Sequence, residues 1–387
     1  AREGRAAEAL ILLRAFQQRY PRHEHAERAQ RAIDEIGHAP GLERRVLGCL
    51  LPLTGSYQAI GQRALRGIEL AVSLHNSESP AASVQVLIKD TASEPHATLA
   101  ALRELEREGV AAVIGPMVHA ETVAQEAQAM GLPIVALTQK EGVVGTGNYV
   151  FRNFITPAAQ MRSLAGHAVT KLGAAQAVVL YPDEPYGRTF MGLFRDEFQA
   201  RGGEVLTAVA YALAATDFSG PIRKLLRFSQ KVPRDPHSDR GDARAGGGRR
   251  SRIEEKEYDL AFDFQLVFIP DEPSKAAMLV PQLAYHDIKN VYLLGTNLWH
   301  SDVLIQQAGP YVQGAIMPDA FLADSTEPSA RRFVTAFEQT FQERPGFIEA
   351  TAYDTARLLS DVASRPGVRS RSDVAARLHV SEGFPGA

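Results

Sequence analysis

Cysteine is all but missing: Cys49 stands alone in 387 residues, which excludes a disulfide framework and a cysteine-rich metal site. It lies inside the apolar run Val46–Leu51 and is expected to be a small buried hydrophobe. Excess charge of one sign is missing too. The 42 basic and 45 acidic side chains leave a formal charge of -3, with no general attraction to nucleic acid or to an anionic membrane. No apolar run approaches the ~20 residues that span a bilayer, and no secretory leader is visible. The chain opens at Ala1-Arg2-Glu3 within a helical pattern, as expected if a native N-terminus has been removed.

Catalytic and cofactor signatures are likewise lacking. There is no Gly-x-Ser-x-Gly elbow, no His-Glu-x-x-His, and no Gly-x-Gly-x-x-Gly following a strand. His23 and His25 flank Glu24 on a helical pattern, where neighbouring residues point to different faces. Gly246-Gly247-Gly248-Arg249-Arg250 has neither a preceding strand nor a following Gly-Lys-Ser/Thr, so it is read as linker rather than phosphate loop. These absences predict a protein that is not an enzyme and needs no cofactor or metal.

What is present is length and alternation. A chain of 387 residues exceeds the size at which one core stops growing, and 45% hydrophobic residues can fill two. Ala6, Ala9, Leu10, Leu13 and Phe16, then Ala26, Ala29, Ile33 and Ile36, recur at helical spacing around Tyr20-Pro21, predicting an antiparallel helix pair over about 3–36. It is similar to a tetratricopeptide-like repeat unit; a helical extension packed on the next domain fits equally well. From Val46 onward strands and helices alternate. Strand 46–51 runs through Pro52-Leu-Thr-Gly-Ser-Tyr57 into a helix over about 61–75, and strand 84–90 completes a βαβ unit.

Further strands are predicted over 111–115, 133–137, 177–181, 204–211, 266–270 and 291–294. Helices fall over 95–109, 121–131, 159–172, 188–201, 274–285, 328–342 and 346–362. The strands lack polar alternation, as in a parallel sheet covered on both faces, and Gly109 and Gly131 fit helix C-caps. Thr216-Asp217-Phe218-Ser219 offers an N-cap signal. Residues 228–257, rich in Arg, Asp and Gly, carry too little apolar surface to fold alone and are expected to form a flexible insertion.

Leu51-Pro-Leu-Thr-Gly55 with the glycine-bearing helix behind it, Tyr149-Val-Phe-Arg-Asn-Phe-Ile-Thr-Pro157, Thr216–Ser219 and Ala350-Thr-Ala-Tyr-Asp-Thr-Ala-Arg-Leu-Leu359 resemble the type I periplasmic binding proteins, the family of the leucine/isoleucine/valine-binding protein. The resemblance runs from about Arg45 to the end. It implies an α/β clamshell of two doubly wound parallel-sheet lobes. Lobe one would be 44–153 plus 319–382 and lobe two 154–318 plus 383–387, after a helical extension over 1–40. The family's third crossing and last strand pair would be missing at the C-terminal end.

In such a fold the ligand lies in the cleft, at the carboxyl ends of strands. The positions expected to touch it are Ser56, Tyr57, His119, Ala120, Thr138 and Lys140 on the first lobe, and Tyr186, Asn297 and Trp299 on the second. By resemblance, His119-Ala120 and Lys140 stand where relatives hold the ligand carboxylate, and Tyr186 keeps an aromatic position. Asn297 stands near the acidic residue that pairs with a ligand ammonium and is neutral, which argues against a free α-amino acid. Trp299 reads as an apolar wall or as core, His119 as a helix cap, and Glu121 as favourable charge in a first helical turn.

Two functions follow from the resemblance. The first is a periplasmic receptor for an amino-acid or amide-like solute, serving a membrane transporter or a sensor. The second is an envelope lipoprotein, lipid-anchored through its removed N-terminus, that activates a peptidoglycan synthase through protein contacts. Penicillin-binding-protein activators resemble this chain in Phe268-Ile-Pro-Asp271, in Leu294-Gly-Thr-Asn-Leu-Trp299 and in their helical repeats.

Overall fold

The computed structural model describes residues 45–233 and 258–380, with Leu12, Leu13, Ala15, Phe16, Arg19, Tyr20, His23, His25 and Ala29. The predicted helix pair, as a pair, lies outside the described residues, as do the expected final crossing at 383–387 and residues 234–257 of the insertion. The chain divides into two compact units, one ending at Thr156 and resuming at Ala320, the other Pro157–Asp319.

In the first unit β1 (Val46–Leu51) is buried at every residue. Its side chains alternate between two cores. Leu47, Cys49 and Leu51 join one cluster, and Val46 and Leu50 join the other. Burial pushes the Cys49 thiol far above its usual range, so it packs as a hydrophobe. Next come α1 (Gln58–Glu78), β2 (Gln85–Asp90), α2 (Pro95–Arg107), β3 (Ala112–Ile114), α3 (Ala120–Met130), β4 (Ile134–Ala136) and β5 (Val150–Arg152). Gly109 and Gly131 follow α2 and α3 at positive φ, as predicted for C-caps. Helix α1 starts three residues before the predicted position.

The second unit contains α4 (Pro157–Thr170), β6 (Gln176–Pro182), α5 (Pro185–Gln199), β7 (Glu204–Tyr211), α6 (Ser219–Leu225), β8 (Ser229–Pro233), β9 (Tyr258–Phe262), β10 (Leu266–Phe268), α7 (Pro273–Tyr285), β11 (Tyr292–Leu294) and α8 (Asp302–Ala308). The chain then returns to the first unit as α9 (Pro328–Phe341), α10 (Phe347–Ser364) and α11 (Arg371–His379). At α6 the predicted cap is modified: Phe218 is the N-cap residue, and Asp217 Oδ1 accepts the Ser219 N–H at 2.9 Å. The insertion is also shorter than expected, because Ser229–Pro233 pairs antiparallel with Tyr258–Phe262.

Both main sheets are parallel, in the orders β2-β1-β3-β4-β5 and β11-β10-β6-β7. Counted from its own first strand, the second sheet repeats the 2-1-3-4 order of the first. Strand β2 is an edge, and its side chains are half-buried or exposed rather than covered on both faces. Connections leave in opposite directions from β1 and β3, and from β6 and β10. Such switch points open a crevice at the carboxyl ends of the strands.

One packing device occurs in both units. A Cβ on Gly61 would sit 2.1 Å from Pro52 O, and one on Gly187 would sit 2.2 Å from Pro182 O. Each glycine lets the helix after the first strand lie directly on the strand's end, which holds the intervening loop short and close to the crevice.

Candidate functional site

At the carboxyl edge of the first sheet, Asp90 organises the loop after β1. Its Oδ1 accepts the Leu53 N–H (2.8 Å), the Thr54 N–H (3.2 Å) and the Ala92 N–H (2.8 Å), and its Oδ2 accepts the Thr54 hydroxyl (2.6 Å). Desolvation works to raise the Asp90 carboxyl, but these hydrogen bonds outweigh it and hold the pKa below its ordinary value. Ser93 links three loops. Its Oγ accepts the Tyr57 N–H (3.1 Å) and donates to Thr54 O (2.9 Å), while its carbonyl lies 3.1 Å from His119 Nε2.

Ala92, Ser93 and His119 adopt φ of 49°, 60° and 58°. Left-handed backbone is uncommon outside glycine and gathers where a site is held in a set shape. Here three such residues sit in the loops after β2 and β3, beside the exposed Ser56 and Tyr57. Ala120 opens α3 and is buried. His119 occupies the N-cap position but makes no side-chain cap; its ring turns to Ser93 instead. Thr138 is buried, and its Oγ1 accepts the Lys140 N–H at 3.4 Å. Lys140 Nζ lies 3.7 Å from Glu121, both side chains well exposed. So loose a pair leaves the ammonium available to an anion.

At the carboxyl edge of the second sheet, the Tyr186 hydroxyl donates to Thr296 Oγ1 at 2.9 Å. Burial pushes the Tyr186 phenol up to about 12, so it stays a hydroxyl donor at neutral pH. The Asn297 N–H donates to Gln160 Oε1 at 3.1 Å. Across the end of β6, Tyr211 OH donates to Asp271 Oδ2 at 2.6 Å, and the Glu272 N–H donates to Oδ1 at 2.7 Å. Desolvation raises the Asp271 carboxyl above its ordinary value, against the pull of both hydrogen bonds.

Trp299 does not form a wall facing a ligand. It is 2% exposed and belongs to the core cluster with Val178, Leu180 and Leu283. Its ring lies on Gly295, where a Cβ would come within 2.1 Å of it. The sequence reading missed Asp90, Ser93, Gln160, Tyr211 and Asp271 as site-forming residues. The available signal was positional, since Asp90, Tyr211 and Asp271 each end a strand or follow it within a few residues.

Elsewhere in the first unit His75 Nδ1 lies 3.2 Å from Asp361 Oδ1, and Nε2 lies 3.1 Å from Ser364 Oγ. This Asp-His-Ser order is not a nucleophile set. Ser364 donates to Ala82 O at 2.9 Å and ends α10, where carbonyls rather than N–H groups are presented and an oxyanion would be repelled. The group fastens α1 to α10. Among the described residues, no helix is long and apolar enough to cross a membrane.

The family model described as periplasmic binding protein matches residues 46–387, and the chain belongs to the type I periplasmic binding protein family. It is similar to Leu/Ile/Val-binding protein homolog 8 of Brucella suis, with 28% identity over 50% of this chain and 52% of that protein. It is also similar to the penicillin-binding protein activator LpoA of Yersinia pseudotuberculosis, with 23% identity over 50% of this chain and 34% of the activator. The chain thus spans about half the length of the first of these relatives and a third of the second. The fold matches that of the leucine-binding protein LivK of Thermotoga maritima, with a TM-score of 0.60 and 22% identity over 88% of this chain and 89% of that one.

Proposed function

We propose that this protein is a periplasmic, non-enzymatic receptor for a small polar or amphipathic solute of the amino-acid or amide type, serving a transporter or a sensor. The observation that carries the reading is the carboxyl edge of the first sheet. There Ser93 and Asp90 hold the loops after β1, β2 and β3 in one constrained arrangement, and Ser56, Tyr57 and Lys140 are left exposed beside it. Constrained loops with exposed polar groups at a switch point suit recognition of a small molecule. The matching order of the second sheet and its Tyr186–Thr296 pair support a second set of contacts there. The similarity to Leu/Ile/Val-binding homologues agrees with a solute of this class.

A second reading, a partner-binding activator of a peptidoglycan synthase, draws on the similarity to the LpoA activator. A thermal-shift panel of amino acids, small amides, aromatic acids and peptidoglycan fragments separates the two. A bound solute stabilises by about 2.7 kcal/mol at a hundredfold excess over Kd. A several-degree shift removed by Ser93→Ala or Tyr186→Ala supports the receptor. A flat panel on folded protein overturns it in favour of the activator.

A further inference from the structure

Gln160 lies in the first turn of α4, and the loop after β11 orients its amide. The Asn297 N–H donates to it at 3.1 Å. A backbone N–H can only donate, so the oxygen of the amide must face it, and this fixes which end carries the NH2. Gln160 is fully buried, and its Nε2 has no hydrogen-bond partner among the described residues. Buried donors are nearly always paired in folded proteins, so this NH2 is a donor prepared for an acceptor from elsewhere.

Its surroundings favour the same polarity. Thr296, the residue before Asn297, accepts from Tyr186 and keeps its own hydroxyl hydrogen to give. Building on the solute-receptor reading above, we infer that Gln160 Nε2 is a ligand-binding donor of the second unit, and that it takes a carboxylate or amide carbonyl oxygen of the solute. The shared chemistry is a planar oxygen acceptor. A cationic amine offers only donors, and it would face Gln160 Nε2 with like polarity.

The test is calorimetric titration of the whole chain with acid, amide and amine on two skeletons: 4-methylpentanoate, 4-methylpentanamide and 4-methylpentylamine, then benzoate, benzamide and benzylamine. On at least one skeleton the acid or the amide is expected to bind at least tenfold more tightly than the amine. Which of the two binds more tightly identifies the oxygen. Gln160→Glu keeps an oxygen for the Asn297 N–H while replacing the donor with a negative acceptor, so it should lose at least tenfold for the acid and gain for the amine. Gln160→Met, which removes the amide and keeps the length, should lose the acid and the amide alike and serves if the Glu variant does not fold. Unchanged acid and amide affinities in the folded variants overturn the assignment and leave the receptor reading intact. Folded wild-type protein that binds none of the six overturns the assignment. The receptor reading falls with it only if the thermal-shift panel is flat as well.

Discussion

The Tyr211 hydroxyl and Asp271 Oδ2 meet at 2.6 Å across the end of β6, with both side chains buried. The burial that raises the Asp271 carboxyl makes its ionised form costly in the folded protein. For an acid whose folded pKa exceeds its unfolded one, stability is greatest below the unfolded value of about 3.9. It falls as pH rises until the folded value is passed. Urea unfolding at stepped pH should show this decline in the wild type and a flatter profile in Asp271→Asn. Tyr211→Phe leaves a buried acceptor short of its donor and should cost about 1–3 kcal/mol.

Asp90 carries the opposite sign. Its depressed pKa gives stability that is present above the unfolded value and lost as pH falls through the folded one. Asp90→Ala frees the Leu53 and Thr54 amides and should cost about 1–2 kcal/mol at pH 7, less at pH 3. Amide hydrogen exchange in 52–57 should rise in the variant, whereas exchange in β6 should not.

Two glycines on α5 make a matched pair. Gly187→Ala puts a Cβ 2.2 Å from Pro182 O, so the helix must move off the strand end, and a loss of about 3 kcal/mol or more is expected. At Gly192 nothing lies within 4 Å of an added Cβ. Gly192→Ala should therefore stabilise by about 0.5–1 kcal/mol through helix propensity. Equal effects from the two in thermal unfolding would refute the close-packing account.

Trp299→Ala should act on stability before affinity. Truncating so large a buried ring costs about 3–5 kcal/mol, visible in the ligand-free protein. A ligand-facing ring would show the reverse, with lost binding at nearly unchanged stability.

His75→Leu removes two of the polar contacts that tie α1 to α10, beside the Arg63–Glu349 and Arg357–Glu78 pairs, and leaves Asp361 and Ser364 without their histidine. A loss of about 1–3 kcal/mol is expected. Equal esterase readings in wild type and variant, at the level of a protein-free blank, are expected from the geometry of Ser364 and check that the group is a fastening.

The sequence made the alternating architecture readable because buried strands such as Val46–Leu51 are continuous apolar runs, and because Gly109 and Gly131 mark helix ends. It misled at β2, where Val86, Leu87 and Ile88 read as a covered strand and form an edge. The reason is that composition does not report a strand's neighbours. It left Trp299 open between wall and core, since the two have the same side chain, and the ring's burial against Gly295 and its place in a core cluster favour core. Asp90 and Asp271 escaped notice because a single carboxylate at a strand end means little until the amides and phenol that approach it are known. Gln160 had no signal at all in one sequence. Its role depends on Asn297, 137 positions away.

The β8–β9 ladder pairs Pro233 with Tyr258. Chain leaving at the first must therefore re-enter at the second, whatever its length. Loop closure grows only with the logarithm of length, about 0.6 kcal/mol per doubling, and the two anchor points are already clamped. The paired ends Pro233 and Tyr258 thus make a port at which a fluorescent reporter or an affinity handle can be grafted with little load on the sheet that carries them.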